Sequence, residues 1–196
     1  MSFSPSWDPR GRERPRCSTA LSGLDDIDAG SVTIDGDDIH AMSDARRTRH
    51  RAASMGFIFQ AFNLIPVFSA VENVELPLLL AGAGPREARR RAEESLERLG
   101  LGNRLRHRPP ELSGGEQQRV TVARAIAGEP QVVWADEPTG NLDTETATTV
   151  MELLRDLHRG GLTLILVTHD GAIGASAARR IEVRDGRIVA DHRQAS

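Results

Sequence analysis

Lysine is missing altogether: the 196-residue chain carries 25 basic residues, and every one is arginine. Chemistry that depends on a lysine side chain is excluded, because a planar guanidinium is not interchangeable with a compact ammonium. Cysteine occurs once, at Cys17. Neither an internal disulfide nor a cysteine-built zinc site can then form, which fits a reducing cytosol. Long apolar runs are lacking too. Leu76–Ala81 and Leu162–Val167 are the longest, far short of the ~20 residues that span a bilayer. No apolar segment near Met1 resembles a secretion signal, so neither an integral membrane chain nor an exported one is expected. There is no basic excess: the formal net charge is −3 and the pI about 6.1, which argues against a mainly electrostatic nucleic-acid binder. What is present, 39% hydrophobic and 27% charged residues, reads as one soluble globular domain with a single core.

Residues 1–19 mix Pro5, Pro9 and Pro15 with Arg10, Arg12, Arg14 and Arg16 and show no periodicity, so they are expected to be a disordered or altered N-terminus. Regular pattern starts at Ser31. Ser31–Ile34 reads as a strand, Asp35-Gly36 as a turn, and Ser43 as the N-cap of a short arginine-rich helix reaching about Ser54. Gly56–Gln60 reads as a short buried strand. From about Ser69 to Gly128 the period is helical: Val71–Leu80, then Arg86–Leu99 opened by Pro85 and closed by Gly100, then Glu116–Ala127. A helical subdomain over 63–128 is expected, within a domain spanning 20–196. Next come a strand at Gln131–Ala135, a helix from about Thr146 to His158 stopped by Gly160-Gly161, and a strand at Leu162–Thr168. Strands separated by helices imply a parallel sheet and an α/β fold. Arg180–Arg184 and Arg187–Ala190 flank an Asp185-Gly186 hairpin turn.

Arg46, Arg47, Arg49 and Arg51 share one short helix, while Arg86, Arg89, Arg90 and Arg91 are interleaved with Glu87, Glu93, Glu94 and Glu97. A solvated face is the plainer reading, and no nucleic-acid partner is expected. The chemistry lies elsewhere. In Leu112-Ser-Gly-Gly-Glu-Gln-Gln-Arg119, Ser113 can cap a helix and Glu116 can complete a capping box. Gly114 and Gly115 then expose backbone N–H groups at a helix N-terminus, where the dipole favours an anion such as phosphate. On the spacing alone an ordinary capped helix is the plainer reading. Val132–Glu137 is a buried strand ending in two carboxylates. At the C-terminal edge of a parallel sheet, Asp136 can hold Mg²⁺ directly or through water, and Glu137 can polarise an attacking water; a strand followed by a polar turn is the plain alternative. Thr168-His169-Asp170 ends the neighbouring strand in the same way and is expected to set an imidazole beside those carboxylates. His40, His50, His107, His158 and His192 are read as structural.

The run from about Gly30 to Arg187 resembles the ATP-binding subunit of ABC transporters, most closely the subfamily serving lipoprotein release and macrolide-type export. Leu112–Gln117 matches the ABC signature, Val132–Glu137 the Walker B motif, Asn141-Leu142-Asp143 the D-loop, Gln60 the Q-loop and His169 the switch histidine. Phe57–Leu64 and Ala135–Asp143 suggest the subfamily. Five motifs stand in the right order over roughly four-fifths of the chain. The resemblance implies a P-loop NTPase-like nucleotide-binding domain with a parallel-sheet core and a helical subdomain, using ATP and Mg²⁺. It implies Glu137 and His169 as catalytic residues, and Asp136 and Gln60 at the metal. Gln60, Ser113, Gly114, Gly115, Gln117, Asp143 and Ser18 are implied to bind nucleotide. A second ATP-binding subunit, identical or not, would sandwich each ATP between one chain's Walker motifs and the other's signature. A membrane permease would meet the surface around Gln60–Phe68, and the chain would sit in the cytoplasm on the inner face of the cell membrane.

The family's phosphate loop, G-x-x-x-x-G-K-[ST], should precede Ser31 and has no match. The nearest remnant, Gly11-x4-Arg16-Cys17-Ser18, keeps the first glycine and the metal-binding hydroxyl, but puts arginine on the second glycine and cysteine on the lysine. Pro15 also removes a backbone donor. Family-like text resumes at Ala20–Asp25, about one helical turn short, and only Trp7 is left to stack on adenine. An N-terminally incomplete cassette with an impaired site of its own is expected. Three function classes stay open: a transporter motor subunit, a non-catalytic remnant or degenerate partner lending only its signature, and a soluble ABC protein of DNA repair or translation. Against the last stand the short helical middle and the single cassette. A pull-down separates them, by permease, nothing, or DNA and ribosomes.

Overall fold

The computed structural model describes residues 17–184 and 187–193. In chain order its elements are α1 (Cys17–Leu21), β1 (Thr33–Ile34), β2 (Asp37–Asp38), α2 (Asp44–Ser54), β3 (Met55–Phe59), α3 (Ala70–Leu80), α4 (Pro85–Arg98), a 3₁₀ turn (Pro109–Glu111), α5 (Gly114–Ile126), β4 (Val132–Asp136), α6 (Thr144–Arg159), β5 (Thr163–Val167), α7 (Gly171–Ala175), β6 (Arg179–Arg184) and β7 (Arg187–Arg193). They fall into two units, Asp44–Val167 and the described residues on either side of it. Among the described residues no helix is long and apolar enough to cross a membrane.

In the unit Asp44–Val167, β3, β4 and β5 form a parallel sheet with β4 in the middle. Every residue of β4 is buried, as an apolar strand covered on both faces demands. The first crossover runs through α3, α4 and α5, and the second through α6. α5 can lie close on β3 because Gly56 leaves room; a Cβ there would overlap the Ala125 carbonyl. Ile58, Val120, Val122, Val133, Val150 and Leu154 are fully buried between these layers. α3 and α4 pack on each other and on α5 through Val74, Leu78, Ala88, Ala92 and Leu96.

The local signals act where the sequence places them. Pro85 opens α4, and Gly100 follows it with φ +74°, a conformation that favours glycine. Arg90 bridges Glu87 and Glu94, each at 2.6 Å, on the exposed face of α4, the mixed-charge surface expected there. α5 starts at Gly114, two residues before its predicted start, so both signature glycines belong to its first turn.

The other unit differs more from expectation. The strand predicted at Ser31–Ile34 shortens to Thr33–Ile34 and pairs antiparallel with β2. The reason is the turn between them, where Asp35 (φ +52°) and Gly36 (φ +84°) are both left-handed, the type I′ geometry that folds a chain back on itself. The disorder expected over 1–19 is corrected at its end: Cys17, Ser18 and Thr19 are helical, in α1. Gly23 (φ +68°) follows that helix, and His40 Nε2 lies 2.9 Å from the Ala20 carbonyl. The rest of that expectation, including Gly11, Pro15, Arg16 and Trp7, lies outside the described residues. β6 and β7 make the predicted hairpin, with a register shift at Glu182/Val183.

Candidate active site at the sheet edge

Phe59, Asp136 and Val167 are in register across the parallel sheet, so Gln60 and Glu137 are the first residues beyond the C-terminal ends of β3 and β4. In open α/β sheets this edge is where ligands bind. Asp136 is 5% exposed. Glu137 has a left-handed backbone, φ +48°, a state that costs a non-glycine residue roughly 1 kcal/mol or more. It is held there from both sides: its N–H donates to the Val167 carbonyl at 2.9 Å, and its carbonyl accepts from Gly140 N–H at 3.1 Å.

The turn after Glu137 is tied to its neighbours by side chains. Gln118, fully buried on α5, donates through Nε2 to the Pro138 carbonyl at 2.5 Å. Thr121 Oγ1 in turn donates to the Gln118 carbonyl at 2.8 Å. Asn141 Nδ2 donates to the Gln60 carbonyl at 2.9 Å. The Gln60 side chain lies against Gly140: a Cβ built on that glycine would be 2.7 Å from Gln60 Nε2. Gly140 and the Gln60 side chain thus pack directly against each other.

The signature turn is built as its spacing predicts. Ser113 caps α5, accepting from Glu116 N–H at 3.2 Å, while the Glu116 carboxylate accepts from Ser113 N–H at 2.8 Å. Arg104 Nε donates to Glu116 at 2.8 Å. The bond from Arg104, with those at Ser113, pulls the Glu116 carboxyl down to about 2. Gln117 Nε2 donates to the Leu112 carbonyl at 3.1 Å. Asp143 caps α6 through Thr146 N–H (3.0 Å) and Thr146 Oγ1 (2.7 Å), and these bonds lower its carboxyl below the ordinary value. The two caps meet. A Cβ on Gly115 would be 2.5 Å from the Thr146 methyl, and one on Gly114 would be 3.7 Å from Leu142 and 3.9 Å from Phe62.

Gln60, Asp136 and Glu137 are therefore brought to one sheet edge, and Ser113, Gly114, Gly115, Gln117 and Asp143 to one junction of helix starts, all within the unit Asp44–Val167. Ser18 and His169 belong to the other unit. Ser18 is a buried residue of α1. His169 is exposed, between Thr168 and Asp170; Asp170 caps α7 through Ala172 N–H at 2.7 Å. Sequence reasoning missed Gly140, Gln118, Arg124 and Asn73 as site-shaping residues. Asn73 and Arg124 did carry a signal, each being a polar residue inside an apolar helical run.

The donor chemistry suits Mg²⁺, which accepts one or two protein oxygens and keeps waters and phosphate oxygens for the rest. Asp136 and Gln60 offer a carboxylate and an amide oxygen. Among the described residues there is no group of three or more His, Cys, Asp or Glu that could hold a metal ion.

Comparison with known proteins shows the family and the fold. The ABC transporter family model matches residues 17–140. An ABC transporter ATP-binding protein of Thermotoga maritima is 47% identical over 92% of this chain and 77% of its own length. The macrolide export ATP-binding/permease protein MacB of Marinobacter nauticus is 45% identical over 93% of this chain, which spans 28% of that longer protein. Among solved structures, the dimeric ATP-binding cassette MJ0796, in a post-hydrolysis state bound to ADP and Pi, superposes with a TM-score of 0.81 at 36% identity, covering 98% of this chain and 85% of that one. With its motifs set on that fold, the chain belongs to the ABC transporter family and has the fold of its ATP-binding cassettes.

Proposed function

We propose that this chain is the ATP-binding subunit of a lipoprotein-release or macrolide-export type transporter, working as a dimer of cassettes beneath a membrane permease, with its own phosphate grip impaired. The observation that carries the reading is an asymmetry. Asp136 is in register with Phe59, so Glu137 and Gln60 follow at the same sheet edge, and the signature turn is fully capped, whereas the chain contains no lysine at all. The dimer and permease parts are supported by relatives solved as dimers or carrying a permease in the same polypeptide.

In this reading Asp136 and Gln60 hold Mg²⁺, which neutralises phosphate charge when bound, and Glu137 accepts a hydrogen bond from the attacking water. His169 takes the place of the family's switch histidine. Ser113–Gln117 presents α5 to the nucleotide of the second cassette, with Asp143 beside it. Ser18 is the one residue of the phosphate loop that keeps a metal-binding hydroxyl. Gripping donors dominate such catalysis, each worth roughly 10²–10³ in rate, so losing the lysine and several backbone donors removes turnover rather than slowing it. The permease holds the chain at the inner face of the membrane and selects the substrate.

The purified chain alone should show no ATPase activity above background. Mixed with an intact paralogous cassette it should support hydrolysis at one composite site, and Ser113→Arg should abolish that support. Hydrolysis by the chain alone that Glu137→Gln eliminates would refute the impairment. Capture of DNA or ribosomes instead of a permease would refute the transporter role.

A further inference from the structure

The turn that opens α5 carries a charge its geometry does not need. A capping box is completed equally well by glutamine or glutamate at the third helical position. Here it is Glu116, whose carboxylate folds back to accept from Ser113 N–H at 2.8 Å. An anion approaching the Ser113 hydroxyl and the N–H groups of Gly114 and Gly115 is attracted by the helix start and repelled by that carboxylate one turn away. Two carboxylates border the junction of α5 and α6. Asp143 is engaged by Thr146 N–H and Oγ1. Glu116 is met by a cation: Arg104 Nε donates to its Oε1 at 2.8 Å. A second cation, Arg119, stands beside the same turn, with Nη1 3.8 Å from where a Cβ on Gly115 would be.

The segment that carries Arg104 is pinned. Arg104 N–H donates to the Leu101 carbonyl and His107 N–H to the Arg104 carbonyl, each at 2.9 Å. The Leu105 and His107 carbonyls accept the first two N–H groups of α3, from Val71 at 3.0 Å and Ala70 at 2.8 Å, so the segment is also the backbone cap of that helix. Arg104 thus reaches Glu116 from a fixed base, and both side chains remain partly exposed, at the surface the turn presents.

We propose that Arg104 is a positioning residue for the nucleotide of the second cassette: it holds the Glu116 carboxylate in place and cancels its charge, so that the signature turn meets phosphate as a helix start flanked by Arg119 instead of as an anion. Arg104 acts through Glu116. The nucleotide part of this role rests on the composite-site reading above; the charge balance at the turn does not.

Two measurements on the full chain test it. In the first, Cys17→Ser with Ser113→Cys leaves one thiol, at the turn, and its pKa is read from the pH dependence of alkylation by iodoacetamide. A thiolate at a helix start responds to the same charges as a phosphate. Arg104→Met should raise that pKa by roughly one unit, Glu116→Gln should lower it, and the two together should return it near its starting value. In the second, the chain with Ser113 intact is mixed with a paralogous cassette whose own signature serine is changed to arginine, so that only the site completed by this chain turns over. Arg104→Met should raise KM for ATP on the order of tenfold with kcat little changed. Arg104→Lys, which keeps the charge, should stay within about twofold of wild type. Adding Glu116→Gln to Arg104→Met should restore KM, although that double variant is no more stable than Arg104→Met.

A thiol pKa that Arg104→Met leaves unmoved, or that Glu116→Gln does not restore, overturns the charge balance whatever the ATPase shows. A shifted thiol with an unmoved KM overturns the role toward nucleotide. So does a KM that recovers neither in the double variant nor in Arg104→Lys, since Arg104 would then serve the fold alone. Absence of hydrolysis with the wild-type chain refutes the composite-site reading and the nucleotide role with it, and the thiol still decides the charge balance.

Discussion

Replacing Glu116 with glutamine keeps one oxygen that can accept from Ser113 N–H and removes both the charge and the oxygen that accepts from Arg104 Nε. The expected cost follows from the carboxyl, which ionises at about 2 in the folded chain against an ordinary 4.5. That difference is worth at most about 3 kcal/mol, at 1.36 kcal/mol per pKa unit. Arg104 is 38% exposed and Glu116 18%, so solvent screening brings the realised figure to about 1–2 kcal/mol. The sign is that of a depressed carboxylate. Its contribution is complete above pH ~4.5, the unfolded value, and disappears as pH falls toward 2. Urea unfolding of wild type and Glu116→Gln between pH 3 and 7, followed by circular dichroism, should give a gap of about 1–2 kcal/mol at pH 7 that narrows below pH 4.5. Arg104→Met should remove a similar amount at pH 7, and the double variant little more, since both delete one interaction. A gap constant from pH 7 to pH 3, or no gap at pH 7, would refute the assignment of this charge to the signature turn.

Gly115→Ala should destabilise the chain by about 1–3 kcal/mol through overlap with the Thr146 methyl, less a few tenths regained in helix propensity. Adding Thr146→Ser removes that methyl, keeps the hydroxyl bonded to Asp143, and should recover most of the loss; denaturant midpoints decide it, and equal losses in both backgrounds would disprove the contact. Asn73→Ala, at a side chain 1% exposed that serves Ile65, Phe68 and Ser69, should cost about 2–4 kcal/mol by stranding those groups. Proteolysis at Leu64 should rise with it, and an unchanged melting curve would show that these bonds are not maintained in solution.

Elements with strong local signals were legible in the sequence to within about two residues. α4 announced itself by Pro85 and Gly100, α5 by Ser113 and Glu116, and β4 by an apolar run ending in Asp136. What stayed hidden depends on contacts between residues far apart in the chain. Nothing in the sequence near Gly140 says that the Gln60 side chain, eighty positions earlier, packs against it. The same holds for Gln118 and Pro138 and for Arg124 and Asn63, pairs that meet only once α5 has settled on β3. The strand predicted at Ser31 failed for another reason. Its Asp-Gly turn was read correctly, but the pairing it creates was not followed through to a two-residue hairpin arm.

The bonds that shape the signature turn all originate between Asp44 and Val167. Ser113 and Glu116 satisfy each other, Arg104 anchors Glu116, and Gly114 and Gly115 rest on Phe62, Leu142 and Thr146. Asp143 fixes Thr146 in place from the start of α6. Each of these bonds is made within the unit Asp44–Val167. On the proposed reading, loss of the grip on one nucleotide and retention of the surface offered to another are therefore separable. Separability is what the composite-site experiment measures: support for a partner's hydrolysis should survive every substitution in residues 11–18 and fail with Ser113→Arg. Support lost through substitutions at residues 11–18 as well would mean that the turn depends on the phosphate loop after all.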